Sequence, residues 1–268
     1  MFSNKLTIRF IPALCLSVVT GCVTAGTHGT AVSGAGSGST SVGANPTLER
    51  CSKSLGTLAV DDGRAASWYG DFDRDTQVTT VEPLIRLAIQ QSNCFVITSI
   101  GNLRTNSRMK NITGEQRNSG EYRANSKQHK GQRVAADYYM EPQIILQDSP
   151  LASFGGAVID YLGPHLGTAR PTVDMKSSVV TLSLFDLRSS VQLAISEGSA
   201  TSTSFGAAFT ALGGGRSASL SGFSRTSGGK ATVAAFTDAY NQMVRAVRNY
   251  RAQDVKGGLG TGGTLTVN

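Results

Sequence analysis

Between residues 55 and 99 the chain switches twice between strand-like and helix-like hydrophobic spacing, and that switching constrains the fold more than any other feature. Leu55–Val60 is a short aliphatic run of strand length. Thr79–Gln91 repeats at helical spacing, with Leu84, Leu87, Ala88 and Gln91 on one face and Ile85 and Ile89 beside it. Thr79 or Thr80 can cap this helix, and Pro83 is tolerated only in a first turn. Cys94–Ser99 returns as a second strand. Strand, helix and strand in this order read as a βαβ unit, whose strands run parallel. Cys51 and Cys94 then begin their strands at the same sheet end, which makes a disulfide between them geometrically reasonable. Two buried free thiols are the alternative.

The remaining patterns extend the unit into an α/β domain over residues 47–250. Asp61 to Asp75 reads as a loop holding Trp68, Tyr69 and Phe72, and a short helix begins at Leu103. Tyr138–Leu146 is a further strand, with Pro142 arguing for an edge or a bulge. Val179–Asp186 alternates as a strand, turns at Asp186–Ser190 and returns as Val191–Ser196. Val233–Tyr250 is the best helix, with Val233, Phe236, Tyr240, Met243, Val244, Val247 and Tyr250 in one apolar stripe. The expected domain is a mixed sheet with helices on one or both faces, in two or three layers. Residues 251–268 form a glycine-rich tail.

The N-terminus has its own signature. Lys5 and Arg9 precede an apolar run, Phe10–Val19, of about ten residues, too short to span a bilayer and fit for a signal peptide. Val19-Thr20-Gly21-Cys22 follows and resembles the bacterial lipobox. That resemblance implies a signal peptide over 1–21, lipid on Cys22, and, because Val23 is not Asp, an outer-membrane destination. An ordinary secretory signal with a chance cysteine is the alternative. Residues 22–46 are rich in Gly, Ser, Thr and Ala and read as a flexible tether spanning roughly 25–30 Å.

The net charge of +7 is concentrated. Arg104, Arg108, Lys110, Arg117, Arg123, Lys127, Lys130 and Arg133 face only Glu115 and Glu121 within the same segment. Export argues against nucleic acid, leaving peptidoglycan carboxylates, anionic lipid or an acidic secreted substrate as partners, with a solvated helix and loop as the plainer reading. No enzyme signature stands out. His28, His129 and His165 are scattered, and Gly213–Gly215 lacks the Lys-Ser/Thr of a phosphate loop. No catalytic residue, metal or cofactor is expected.

Two segments interrupt the domain, 149–178 and 199–230. In the second, Thr201, Thr203, Phe205, Ala207, Phe209 and Ala211 alternate with small polar residues before Gly213–Gly215. Ala218, Leu220 and Gly222 then alternate with serines. This length and period suit a transmembrane β-hairpin, with Phe205, Ala207, Phe209 and Leu220 facing lipid. A flexible Gly/Ser loop is the alternative. In the first segment Ala157, Ile159 and Tyr161 share one side. Four strands cannot close a barrel, and lipid does not tolerate open edges, so inserted hairpins require an oligomeric ring.

The order of elements resembles the CsgG/HfaB family of outer-membrane lipoproteins. The matching stretches are Gly56–Asp62, Leu84–Ser92, Phe95–Leu103, Ala136–Pro142 and Val180–Asp186, and the resemblance covers about residues 50–250. Family members usually have Gly where this chain has Pro142, and a shorter, less basic linker than 110–133. The resemblance implies a ring-shaped secretion channel, in which each protomer gives two hairpins to a shared barrel below which a periplasmic α/β domain forms a vestibule. It also implies a channel constriction on the loop after the first strand. Here that is Phe72, with Trp68 and Tyr69 beside it and Asp71 as a polar member. A periplasm-facing lipoprotein of the same fold, binding peptidoglycan or scaffolding an envelope assembly, is the alternative.

Overall fold

Among the described residues five strands form one mixed sheet in the order β2-β1-β3-β4-β5. They are β1 (Thr57–Val60), β2 (Val96–Ile97), β3 (Tyr138–Asp148), β4 (Lys176–Asp186) and β5 (Gln192–Thr201). The helices are α1 (Tyr69–Thr76), α2 (Glu82–Ser92), α3 (Leu103–Asn118), α4 (Phe205–Ala211), α5 (Ala218–Ser221) and α6 (Ser227–Asn249). This computed structural model describes residues 47–123, 125, 129–148, 176–212 and 218–250. The signal peptide, Cys22, the tether, segment 149–175 and the tail 251–268 lie outside the described residues.

The expected βαβ unit is present. β1 runs parallel to β2, with Thr57 opposite Val96, and parallel to β3, with Leu58 opposite Tyr138. Cys51 and Cys94 are joined by a disulfide with their Cα atoms 4.9 Å apart. Backbone and side chain hold the two approaches together, as Cys51 N donates to Ser92 O and Asn93 Nδ2 donates to Cys51 O. A cross-link of this sequence separation stabilises by about 4 kcal/mol in the chain-entropy model.

Pro142 sits in the middle of the sheet and yet breaks no ladder. β3 pairs with β4 along its whole length, Pro142 facing Leu182. Its other edge meets β1 only as far as Met140, whose carbonyl accepts from Asp61 N. Alternate residues of a strand point their backbone groups to the same edge, so the missing proline N–H falls just beyond the end of β1. The position is locally an edge, although the strand is central.

The sheet buries one face. On β4, Ser178, Val180, Leu182 and Leu184 are buried and alternate with half-buried residues. Those inward positions meet α6, whose residues from Gly228 to Val244 are largely buried, while Phe72 of α1 and Leu84, Ile85, Ala88 and Ile89 of α2 complete the same core. Glu141, Ile145, Ile195 and Glu197 point the other way and are exposed. The domain is therefore two-layered. The close approach of α6 to β5 depends on Gly198, where an added Cβ would lie 2.2 Å from Ala235 O and 2.5 Å from Ala239 N.

Candidate functional site

The insertion-bearing end of the sheet and the loop after β1 hold the residues singled out in the sequence. Asp61 closes the turn that leaves β1. Its Oδ1 accepts from Gly63 N at 2.9 Å and its Oδ2 accepts from the Tyr139 hydroxyl at 2.9 Å. Burial, reinforced by the Asp61 carboxylate, pushes the Tyr139 phenol well above its ordinary value. Gly63 has φ +72°, and a Cβ there would meet the Trp68 ring at 2.2 Å, so glycine both makes the turn and leaves room for the indole.

The expected loop 61–75 is half helix. α1 begins at Tyr69 and turns Phe72 and Thr76 inward, while Asp71 and Arg74 point outward and pair at 2.8 Å. Both of those side chains are largely exposed, so the pair adds little stability. Phe72 is 2 % exposed and belongs to the core. Trp68 packs edge-on against Phe72 at 5.8 Å and against Tyr69 at 5.9 Å, and the Tyr69 hydroxyl donates to Thr79 O. Phe72, expected at a constriction, has its ring turned into the core under the sheet in this single chain. Asp71 is the member of the four that faces solvent.

Beside α1, the free edge of β3 leaves a cavity of about 520 Å³, lined by Trp68, Phe72, Asp75, Ile144, Leu146 and Lys176. Lys176 Nζ donates to Asp75 Oδ1 at 2.6 Å and ties the start of β4 to α1. Across the ladders, Asp148 faces Lys176 and Ser177 faces Thr201. Segments 149–175 and 202–226 therefore both leave the same end of the sheet. Thr226 Oγ1, which donates to Thr76 O at 3.3 Å, brings the second segment back beside α1.

The described residues of the second segment, 202–212 and 218–226, are largely helical in this single chain, whereas the sequence pattern suggested alternating strands. A turn of 3-10 helix at Ser202–Ser204 leads into α4, and α5 and a further 3-10 turn at Phe223–Arg225 follow. The Phe205 and Phe209 rings lie tilted to each other at 4.7 Å and are partly buried against the core; Leu220 is fully buried, and Ala207 is exposed. The physical reason is that residues four apart share a helix face just as residues two apart share a strand face. A lone hairpin would leave its apolar side without a cover, whereas α4 lays Ala208 and both phenylalanines toward α6.

The short helix expected from Leu103 is α3, which carries the first part of the basic segment as far as Asn118. Its cap Asn102 accepts from Thr105 N at 2.9 Å through Oδ1 and donates from Nδ2 to Glu82 Oε1 at 2.8 Å. No residue of α3 is buried. Among the described residues no cluster of three His, Cys, Asp or Glu side chains could hold a metal ion, and no helix is long and apolar enough to cross a membrane. No protein-family model and no curated protein sequence matches this chain.

Proposed function

We propose that this protein is an outer-membrane lipoprotein, anchored through Cys22, whose protomers assemble into a ring-shaped channel that exports a polypeptide, with the α/β domain facing the periplasm. The observation that carries this reading is the common departure of both interrupting segments from one end of β3, β4 and β5. Hairpins from a ring of protomers must all point toward one membrane, and a domain that releases both segments on the same side supplies that geometry. The helical state of 202–211 belongs to the single chain, where α6 covers its apolar side; neighbouring hairpins and lipid are the cover in a barrel. No catalytic role, metal or cofactor is assigned.

The test is extraction of the full-length lipidated protein in mild detergent, followed by sedimentation and planar-bilayer recording. A large ring with stepwise conductance is expected. A monomer without conductance would refute the channel. A second reading, a lipid-anchored module that binds peptidoglycan or scaffolds an envelope assembly, is favoured by the exposed basic helix α3. Sedimentation of the protein with purified sacculi, reversed by salt, would support that reading instead.

A further inference from the structure

Among the described residues two surfaces have no cover, and they are complementary. The first is α3. At 3.6 residues per turn, Arg104, Arg108, Met109 and Ile112 fall on one side of the helix. Met109 and Ile112 are 45 % and 49 % exposed. Arg104 and Arg108 make no ion pair among the described residues. The second surface is the outward face of β3, β4 and β5. There Glu141, Ser183 and Ile195 lie in one cross-strand row, and Thr181 and Glu197 lie in the next. Ile145 is 45 % exposed and Ile195 is 64 % exposed. The outward positions of these strands carry no Lys or Arg, and neither Glu141 nor Glu197 has an ion-pair partner among the described residues. One surface thus offers two cations beside two apolar side chains, and the other offers two carboxylates beside two apolar side chains. The carboxylates stand about 12 Å apart, two strands across and one pleat along, within reach of arginines one helical turn apart.

We propose that α3 of one protomer lies on the outward face of β3–β5 of the next copy of this chain, with Arg104 and Arg108 meeting Glu141 and Glu197 and with Met109 and Ile112 meeting Ile145 and Ile195. The contact uses different patches on its two sides, so it is heterologous and propagates head to tail. It deepens the ring reading by naming an interface, and rests on that reading for closure alone. Burying both surfaces removes the largest exposed apolar side chains of the sheet and neutralises like charges on each partner.

Charge swapping tests it with the full-length detergent-extracted protein. Variant one carries Arg104→Glu and Arg108→Glu; variant two carries Glu141→Lys and Glu197→Lys. All four side chains are on the surface, so unchanged circular dichroism and melting are the folding control. Each variant alone should associate at least about tenfold more weakly than the wild type. Mixing the two should restore association, because each altered face then meets an altered partner of opposite sign. A mixture of Ile112→Cys and Ile195→Cys chains should give a disulfide-linked dimer on a non-reducing gel. A wild-type assembly that neither reversal weakens, with no cross-linked dimer, overturns the interface and leaves the ring standing. Loss of sacculus binding in variant one, with assembly size unchanged, also overturns it and assigns α3 to the peptidoglycan. Restored head-to-tail association without conductance supports the interface and refutes the channel.

Discussion

α6 and α3 are the two longest helices among the described residues, and they are held by opposite means. α6 is fixed by what surrounds it: Val233, Phe236, Tyr240, Met243 and Val244 are each at most 1 % exposed, and the Tyr240 hydroxyl shares a 2.6 Å hydrogen bond with Ser92 Oγ. Burial pushes that phenol far above its ordinary value. α3 buries nothing, and it is held by Asn102 at its first turn, by its own backbone and by exposed hydrogen bonds from Arg133 to Asn106 and from Arg117 to His129 O. A helix held by tertiary contacts shares the stability of the whole domain, whereas one held by local bonds opens by itself. The difference teaches that length and regularity say little about which part of the chain carries the fold.

The comparison can be broken most decisively at Gly198. Gly198→Leu forces a side chain into the α6 backbone and should leave no cooperatively folded protein, read as loss of the thermal transition. Phe72→Ala comes next. It removes a core ring and should cost about 3–5 kcal/mol, seen as a lower urea midpoint. A full-stability Phe72→Ala variant with altered conductance would instead assign the ring a channel role. The two caps then sharpen the contrast directly. Thr226 Oγ1 accepts from Gly229 N at the start of α6, so Thr226→Ala should lower global stability by about 1 kcal/mol. Asn102→Ala should speed amide exchange in the first turn of α3 and leave the global midpoint within about 0.5 kcal/mol.

The smallest effect is ionic. Arg245 and Arg248 of α6 clamp Glu49, and their hydrogen bonds hold its carboxyl below the usual range. A depressed carboxylate contributes stability that is present above its unfolded value near 4.5 and is lost as pH falls through the folded value. Glu49→Gln should therefore be less stable than wild type at neutral pH by under about 1 kcal/mol. The two proteins should converge in urea titrations as the solution is acidified below that range.

What the sequence made legible follows the same division. The alternation of β4 and β5, the stripe of α6 and the βαβ unit could all be read, because each buries a regular face. α6 begins six residues before the expected Val233, because Gly228 and Gly229 resemble a turn until Thr226 is seen to cap them. α1 was hidden by Gly70 and its aspartates, which disguise the inward pair Phe72 and Thr76. α3 runs on to Asn118 without any apolar period to announce it. In 201–222 the spacing of small residues satisfies strand and helix alike, and the choice falls to whatever apolar surface is nearby. The outward charges of β3 and β5 were visible as letters, but only the register brings Glu141 and Glu197 to adjacent rows.

The departure of both long segments from one sheet end also has a bearing on folding kinetics. β4 and β5 are joined at the opposite end by the short turn through Ser190, which takes a left-handed conformation at φ 58°. Joining β3 to β4 requires closing the chain over segment 149–175, and the entropy of closure grows with loop length. The β4–β5 hairpin should thus gain amide protection before β3 in pulse-labelled refolding, and β3 protected first would contradict this. The sheet then zips toward its open end, and the end carrying the two segments is the last to be fixed.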